Sequence, residues 1–504
     1  MFTQRLDSIF PRLHLSATTS LALIYILCLS PIFLLLYLEL WSRRAAAREP
    51  KGCRKLGLHK FSNLNDEDNY DTNGRRKRRQ NQKNDAVKGK IRIKALLAYP
   101  IKSCAGVEFN IAQFVSTGMA YDRQFCFAEY METTAAAAAA PAGAAAAAAV
   151  AHARKQQDKP TGQWICRTMR DGKYSRMALI RPEIWVPDPS SRSYSVNHPD
   201  VLSKGVLVIN YPRTPSGTGL SSLLISIGMK LGLCSREESF HVPLHPPPSN
   251  SKTSTYPYRP VRIWKDNPMA VDYGKHIPPS LITFLEPSRP LTLFRVDPEH
   301  RRNVFRCAPR KEALGFQPTT GFADAYPLHM LGLASVREIA ERTSHAIPKF
   351  SVRRFRPNIV IEGSKAFEED SWKLVRFVSG RGNSKSQLLN GQLETQHRRN
   401  QGGIMAEIPD DKQPHSRKDG DGGVEVYTSC RTVRCRLPNV DPNTGLRHRV
   451  EPDKTLKSFR CIDPGDPSNA CLGMQCVPAV QEFTLRVGDE LEVLETGEHF
   501  YIKQ

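Results

Sequence analysis

The sequence has no cysteine pairs of the C-x-x-C type, although it contains 12 cysteines in 504 residues. Structural zinc sites favour such tight pairs, so the wider C-x4-C spacings at Cys430/Cys435 and Cys471/Cys476 do not predict zinc. Scattered cysteines without a dense framework are typical of free thiols in a reducing compartment. The spacing therefore excludes a disulfide scaffold and favours a cytosolic environment.

Signatures of nucleotide and nucleic-acid binding are also absent. The chain has no Gly-rich Walker loop and no dinucleotide fingerprint, and no zinc finger, RRM aromatic signature or basic zipper. The net charge of +22, from 72 basic and 50 acidic residues, suggests nucleic acid, but much of the excess lies outside any predicted core, as in the basic block at 75–79. Attraction to anionic lipid heads explains such a block equally well. We expect no nucleic-acid partner.

One long apolar run stands near the start of the chain. Residues 18–38 carry no charge, and about 20 apolar residues suffice to cross a bilayer. More basic residues follow this run than precede it, which predicts that the bulk of the chain stays cytosolic. A cleaved signal peptide, with 45–47 as its cleavage site, and a buried core helix are the alternatives. We expect a single transmembrane helix.

Low-complexity segments divide the chain. We predict a short tail at 1–17, the transmembrane anchor at 18–38, a basic disordered tether at 39–89, and two domains at 90–300 and 301–504. An Ala-rich insert at 133–150 and a Pro/Ser-rich loop at 245–260 interrupt the first domain, and a disordered insert at 380–423 interrupts the second. Many short apolar runs and few helical patterns predict β-rich α+β units of the barrel or sandwich type.

Cys435 lies between Arg434 and Arg436, just before a turn rich in Pro, Asn, Asp and Gly. Cationic neighbours lower the pKa of a thiol, and the thiolate is both the nucleophile and the ligand for soft metals. The turn residues favour a position on a loop. A half-buried structural cysteine is the alternative, because free cysteines are among the most buried residues.

Four further segments combine turns with side chains that suit an anion. Ammonium, guanidinium and hydroxyl groups, and the N–H groups at a helix start, all bind anions. Each segment also fits a plain structural role, as a surface residue, an ion pair or a helix cap. The candidate residues are Lys102 and Ser103, Arg123 beside Asp122, Ser335 beyond Asp324, and Arg356 with Asn358 on either side of Pro357.

In order along the chain, these segments resemble the MOSC proteins, and specifically the branch of the mitochondrial amidoxime-reducing components. The motifs are YPIKSCAG, GMAYDR, FADAYP, RFRPNIVIEG, FEEDSW and RCRLPNVDPNTG, with EPDKTLKSFR, CLGM and LRVGDELEV nearer the C-terminus. They cover roughly 91–493. The resemblance implies a MOSC N-terminal β-barrel domain at 90–300 and a barrel-like MOSC domain at 301–504, preceded by the one transmembrane helix.

The resemblance implies a molybdenum cofactor (molybdopterin), a pterin dithiolene whose metal takes one more sulfur from a protein cysteine. Cys435 matches that catalytic metal ligand. Lys102, Ser103, Arg123, Ser335, Arg356 and Asn358 match cofactor-binding positions. Pyridoxal phosphate appears in some MOSC family labels, but the roughly 90 residues before the barrel leave no room for its domain.

The chain departs from the family pattern next to the implied ligand. Val433 stands where relatives commonly carry a small polar residue, which puts one hydrogen bond to the cofactor in doubt. Cys430 stands five residues before Cys435, whereas relatives often place a cysteine three before. We expect Cys430 not to be a ligand, although an exchange of roles between the two thiols stays open.

The implied activity is reduction of N-hydroxylated compounds such as amidoximes and hydroxylamines. The sequence has no flavin or haem signature, so the implied electron donors are cytochrome b5 and NADH-cytochrome b5 reductase. A molybdenum cofactor carrier or sulfur-transfer module is the alternative, and a basic adaptor with an inactive pocket is a third. We expect the mitochondrial outer membrane, with the endoplasmic reticulum as the alternative and the catalytic domains in the cytosol.

Overall fold

The computed structural model describes residues 49–58, 61–68, 70–71, 90–132, 162–214, 220–230, 235–246, 256–379 and 423–503, together with 18, 25, 26, 28–31, 34, 37 and 232. The predicted tail at 1–17, the Ala-rich insert at 133–150, most of the loop at 245–260 and residues 380–422 of the second insert lie outside these ranges.

The described chain is rich in strands. They are β1 (Cys53–Lys55), β2 (Tyr70–Asp71), β3 (Arg92–Ala98), β4 (Val107–Phe109), β5 (Ile111–Val115), β6 (Gly118–Met119), β7 (Phe125–Glu132), β8 (Gly162–Cys166), β9 (Arg181–Pro187), β10 (Val206–Pro212), β11 (Glu237–Pro243), β12 (Tyr258–Arg262), β13 (Met269–Asp272), β14 (Leu291–Val296), β15 (Arg302–Asn303), β16 (Thr319–Thr320), β17 (Leu328–Gly332), β18 (Lys349–Phe350), β19 (Ile359–Glu362), β20 (Trp372–Val378), β21 (Val424–Val433), β22 (Cys471–Pro478), β23 (Phe483–Arg486) and β24 (Glu490–Thr496).

The α-helices of the described residues are short. They are α1 (Asn65–Asp68), α2 (Pro199–Leu202), α3 (Leu220–Lys230), α4 (Pro279–Leu285), α5 (Lys311–Leu314), α6 (Leu333–Arg342) and α7 (Asp453–Phe459). The prediction of a β-rich α+β chain is thus confirmed for the part that the structure describes.

The predicted transmembrane helix is corrected by the structure. Among the described residues, no helix is both long and apolar enough to cross a membrane. A crossing requires about 20 residues of continuous helix. The fold prediction was wrong in this element.

A closed barrel of five strands forms in the order β12-β13-β14-β7-β8. Antiparallel pairs join most neighbours, and the parallel pair between β12 and β8 closes the ring. Because alternate residues of a strand face opposite sides of the sheet, Cys126 and Ala128 of β7 point to the same buried cluster, where they meet Phe294 of β14. This cluster is apolar and buried.

An eight-stranded sheet forms the second body, in the order β19-β17-β22-β21-β20-β24-β3-β4. β3 also pairs with β19, so seven of these strands close into a ring. Both faces of β3 are buried: Leu96 and Ala98 lie in one apolar cluster, while Ala95 and Leu97 pack in another with Val336 of helix α6. A strand from the first domain predicted from sequence therefore completes the sheet of the second.

Parts of the predicted tether at 39–89 are structured. β1 pairs with β9 through Cys53–Lys55, and β2 pairs with β18. Leu64 is completely buried in the cluster beneath α6, and Glu67 forms an ion pair with Arg337 of that helix. Buried apolar contacts and backbone hydrogen bonds order these residues, although their composition is polar.

The chain passes from the large sheet to the small barrel directly after β3. Residues 99–104 lie between the two bodies, where Ile101 forms a parallel bridge with Phe125, the first residue of β7. Lys102 N–H also donates to the Phe125 carbonyl at 2.8 Å. The junction therefore brings together chain segments that are far apart in sequence.

Candidate functional site

Lys102 and Ser103 lie in the turn at this junction, and both are buried. The Lys102 Nζ donates to the Phe322 carbonyl at 2.8 Å and to Asp324 Oδ1 at 2.5 Å. Ser103 has a positive φ of 68°, and its hydroxyl accepts the Met169 N–H at 3.1 Å. The turn thus holds an ammonium group in a place that is largely closed to water.

Arg123 connects the two bodies through its guanidinium. Its Nη1 donates to Asp122 Oδ2 at 2.5 Å and to Asn358 Oδ1 at 3.2 Å, and its Nη2 donates to the Arg356 carbonyl at 3.1 Å. Asp122 in turn accepts the Tyr99 N–H at 2.7 Å. The adjacent Asp122 and Arg123 of the sequence are therefore an ion pair that also fixes the segment before β19.

Arg356 is buried with a positive φ of 53°. Its Nη1 donates to the Cys104 carbonyl at 2.6 Å, and its guanidinium lies 4.2 Å from the centroid of the Tyr99 ring. Its Nη2 is buried and has no hydrogen-bond partner among the described residues. Burial lowers the pKa of Arg356 to about 10, because a low-dielectric environment disfavours the charged form.

Asn358 bonds within the protein through both ends of its amide. Its Oδ1 accepts the His329 N–H at 3.1 Å, and its Nδ2 donates to the Leu97 carbonyl at 3.1 Å. These contacts hold β3 against β17 at the edge of the site. Asn358 therefore positions Arg123 and the neighbouring strands.

Cys435 follows the end of β21 and is half-buried. Burial raises the pKa of its thiol and Asp324 raises it further, whereas the Leu437 N–H, Arg170 and Arg434 lower it. The flanking arginines were expected to lower the pKa of Cys435, but burial outweighs their effect. Arg436 contributes little, because its side chain is 71% exposed and turns toward Asp453.

Arg434 and His329 are a buried pair that the sequence analysis did not assign to the site. Arg434 donates to the Leu472 carbonyl through Nε at 2.9 Å and to His329 Nε2 at 2.5 Å. Burial, Arg434 and Arg123 lower the pKa of His329 well below its usual value, so the ring is neutral and accepts from the guanidinium. Arg434 was visible only as a neighbour of the cysteine, and no sequence spacing pointed to His329.

Asp324 faces this group of cations from the loop before β17. Surrounding protein raises the pKa of its carboxyl, but Lys102, Arg123 and Arg302 lower it to about 2. The side chain is nevertheless 63% exposed. The exposed carboxylate of Asp324 therefore lies against several buried cations.

Positive charge exceeds negative charge in this group of residues, which we call the cation cluster. Four cations meet two carboxylates, and the cations are extensively buried. Three of the residues also have positive φ values, namely Ser103, Arg123 and Arg356, and such strained backbone is concentrated at functional sites. The charged residues are Lys102, Arg123, Arg356 and Arg434, with Asp122 and Asp324. The arrangement suits an anionic ligand beside a thiol.

Ser335 lies in a different set of contacts. It is completely buried in the first turn of α6, for which Gly332 is the N-cap. Its hydroxyl donates to Glu369 Oε1 at 2.7 Å and accepts the Phe367 N–H at 2.7 Å. The acidic group that Ser335 meets is thus the Glu369 side chain of the protein itself.

Cys430 is also placed apart from Cys435. It is completely buried in β21 and lies in an apolar cluster against which Cys307 packs. Within the described residues, no group of three or more His, Cys, Asp or Glu side chains could hold a metal ion.

Comparisons with known proteins match two parts of the chain. A MOSC N-terminal beta barrel domain matches residues 90–162, which include Lys102, Ser103 and Arg123. A MOSC domain matches residues 317–400, which include Arg356 and Asn358. The chain contains both domains, and Cys435 lies beyond the two matched ranges.

Curated relatives are mitochondrial amidoxime-reducing components. Component 1 of Danio rerio is 25% identical over 240 residues, which is 48% of this chain and 56% of the relative. Component 1 of Homo sapiens is 28% identical over 228 residues, 44% and 52% of the two chains. Component 2 of Rattus norvegicus is 31% identical over 173 residues, 33% and 37% of the two chains. The matches span between 37% and 56% of the length of these relatives.

Proposed function

Because the chain contains both MOSC domains, we propose that it is a molybdenum-cofactor oxidoreductase. Its substrates are N-hydroxylated compounds, such as amidoximes and hydroxylamines, and its electrons come from cytochrome b5 and NADH-cytochrome b5 reductase. Its relatives are named mitochondrial amidoxime-reducing components, and this supports the reaction class and a mitochondrial location.

The observation that carries the proposal is the unbalanced positive charge next to Cys435. A buried N–H of Arg356 has no partner among the described residues, and leaving a buried donor unsatisfied costs about 1–3 kcal/mol. An anionic cofactor would accept from this group and balance the excess charge. Lys102, Arg123 and Arg356 would hold its pterin phosphate end, and the half-buried thiol of Cys435 would bind the metal.

The bound cofactor supplies the two-electron oxygen-atom chemistry that no amino acid side chain provides. The role of Cys435 is to lose its proton on binding the metal, because the thiolate is the ligand form. Burial raises its pKa, so the nearby cations of Arg170 and Arg434, together with a bound metal, would stabilise the thiolate. The Cys435 sulfur would therefore release a proton when it binds the metal.

The other polar residues keep this geometry. Neutral His329 accepts from Arg434 and holds its guanidinium beside the cysteine. Asp324, with a pKa of about 2, stays ionised at neutral pH and fixes the Lys102 ammonium. Asp324 therefore acts as a counter-ion and holds no proton to transfer.

The experiment compares the full chain with Cys435→Ala and with Cys461→Ala, which removes another half-exposed thiol. We expect Cys435→Ala to lose bound molybdenum and benzamidoxime reduction, measured by elemental analysis and amidine formation with cytochrome b5 and its reductase. Cys461→Ala should retain both. Full molybdenum and full activity in Cys435→Ala would refute the proposal.

The same assay separates the reductase from a cofactor carrier or sulfur-transfer module. A carrier would bind molybdenum through Cys435 without reducing benzamidoxime. Reduced methyl viologen, supplied as an artificial donor, removes dependence on the protein partners. If benzamidoxime is reduced with the viologen but not with cytochrome b5 and its reductase, the proposed reductase activity stands. Only the two named electron donors are then excluded.

A further inference from the structure

A pair of thiols lies near the candidate site, on the strand that leads to Cys435 and on the segment after β15. Cys307 follows β15, and Cys430 lies within β21. Cys430, Tyr326 and Val477 belong to one apolar cluster, against which Cys307 packs. The fold thus brings two cysteines that are more than 100 positions apart in sequence into one cluster.

The two thiols differ in access to solvent. Cys307 is half-exposed, whereas Cys430 is completely buried. The Ile502 N–H donates to the Cys307 sulfur at 3.4 Å. This asymmetry is typical of a pair in which one cysteine meets an oxidant and the other resolves the product.

The electrostatic environment favours the thiolate of the exposed member. The hydrogen bond from Cys430, the Ile502 N–H and the Tyr326 hydroxyl outweigh burial and lower the pKa of Cys307 to about 6. The pKa of Cys430 is raised, by its bond to Cys307 and by burial. At neutral pH the reactive form is therefore on the accessible sulfur.

We propose that Cys307 and Cys430 form a site of reversible oxidation, at which a peroxide converts the two thiols to an intramolecular disulfide. The Cys307 thiolate attacks one peroxide oxygen, so an S–O bond forms, the O–O bond breaks, and the leaving hydroxide takes a proton to become water. The Cys430 sulfur then attacks the sulfenic acid of Cys307. An S–S bond forms, the S–O bond breaks, and the hydroxide leaves as water with the proton of Cys430.

The location links this site to the proposed cofactor site, although the oxidation does not depend on the proposed reductase activity. Cys430 lies five residues before Cys435, and Tyr326 lies two residues after Asp324. The pairing of β21 with β22 is irregular between Thr428 and Cys430. A disulfide would tie this strand to the segment after β15, and a reductant would release it.

The test treats the reduced full chain with hydrogen peroxide, blocks the remaining thiols with iodoacetamide, and maps peptides by mass spectrometry without reduction. We expect a cross-linked peptide joining Cys307 to Cys430, lighter by two hydrogens, which dithiothreitol reverses. Cys126 and Cys166 are the matched control, because they also share one apolar cluster but both are buried. They should remain unlinked.

Two variants separate the roles of the sulfurs. In Cys430→Ser, Cys307 has no resolving thiol and should accumulate sulfinic acid. In Cys307→Ser, Cys430 should stay reduced at the same peroxide dose. If Cys307 in the wild-type chain is oxidised no faster than the half-exposed Cys461, or if it reaches sulfinic acid without the cross-link, the proposal is wrong.

Discussion

The Arg356 guanidinium has a buried Nη2 without a hydrogen-bond partner among the described residues, next to a group that donates to the Cys104 carbonyl. We expect Arg356→Gln to weaken cofactor binding by about tenfold to a hundredfold, since hydrogen bonds to charged groups contribute about 1.5–3 kcal/mol. Molybdenum retained after dialysis measures the effect. Arg376→Gln, which removes a half-exposed cation paired with Glu425, should retain the metal as wild type does.

Ser335 provides a test of how far the family resemblance extends to single residues. Its contacts are with Glu369 and Phe367, so we expect Ser335→Ala to lower the free energy of unfolding by about 1–3 kcal/mol, because buried partners lose a hydrogen bond. Chemical denaturation measures this. Molybdenum content of the folded variant should be unchanged, and a metal-free but fully stable variant would place Ser335 at the cofactor instead.

The sequence made the candidate residues visible for different reasons. Lys102, Arg123 and Arg356 could be chosen because their motifs resemble a family, and the structure places them together. His329 could not, since its neutrality depends on burial beside Arg434 and Arg123. The sign of the Cys435 pKa shift could not be predicted either, because burial outweighs the adjacent charges.

The buried acid Glu369 contacts the first turn of helix α6 through Ser335. It makes the free energy of unfolding depend on pH. Burial and Asp370 raise the pKa of Glu369 to about 7, although the Ser335 hydrogen bond lowers it. The folded state therefore holds a proton that the unfolded chain releases near pH 4.5.

We expect the free energy of unfolding to fall, relative to Glu369→Gln, as the pH rises from about 4.5 to about 7. Above and below this range the difference between the two proteins should be constant. Denaturant titrations at several pH values measure it. A difference that grows in favour of the wild type with rising pH would contradict the assigned direction.

Strand β22 approaches β17 closely at Gly473. Its φ is +74°, and an added Cβ would lie 2.7 Å from the Met330 carbonyl oxygen and 2.8 Å from His329 Nε2. We expect Gly473→Ala to destabilise the fold and to reduce molybdenum retention, because the methyl group displaces the imidazole that holds Arg434.

Gly488→Ala is the control for this substitution. Gly488 also has a positive φ, of +95°, but no atom lies within 4 Å of an added Cβ. Gly488→Ala should lower the free energy of unfolding by about 1–2 kcal/mol, because alanine disfavours a positive φ. Gly473→Ala should lower it by about 1–3 kcal/mol more, because the added methyl group overpacks the site. Equal thermal stabilities of the two variants would show that the contact with His329 is not close.

At the scale of the whole molecule, sequence patterns predicted the fold class but not which strands pair to close the sheets. Short apolar runs indicated β-rich units, and the structure contains a closed five-stranded barrel. The pairing of β3 with β19 could not be predicted, because it joins residues more than 250 positions apart. The apolar run at 18–38 was interpreted from hydropathy alone, and the described residues contain no membrane-spanning helix.

The site depends on this pairing of β3 with β19, which are far apart in sequence. β3 belongs to the large sheet, and the turn that follows it reaches the small barrel with Lys102 and Ser103. Arg123 then bonds back to the segment before β19. The two bodies thus share the cation cluster, and neither could supply all of its cations alone.

The central claim is that the sulfur of Cys435 binds the metal of a molybdenum cofactor beside the cation cluster. X-ray absorption at the molybdenum edge counts the sulfur atoms bound to the metal directly, and it does not depend on turnover. The comparison is between the full chain and Cys435→Ser, with Cys461→Ser as the control. We predict that Cys435→Ser has one sulfur ligand fewer than the wild type and the control in the metal that it retains. An unchanged number of sulfur ligands in Cys435→Ser would contradict the account.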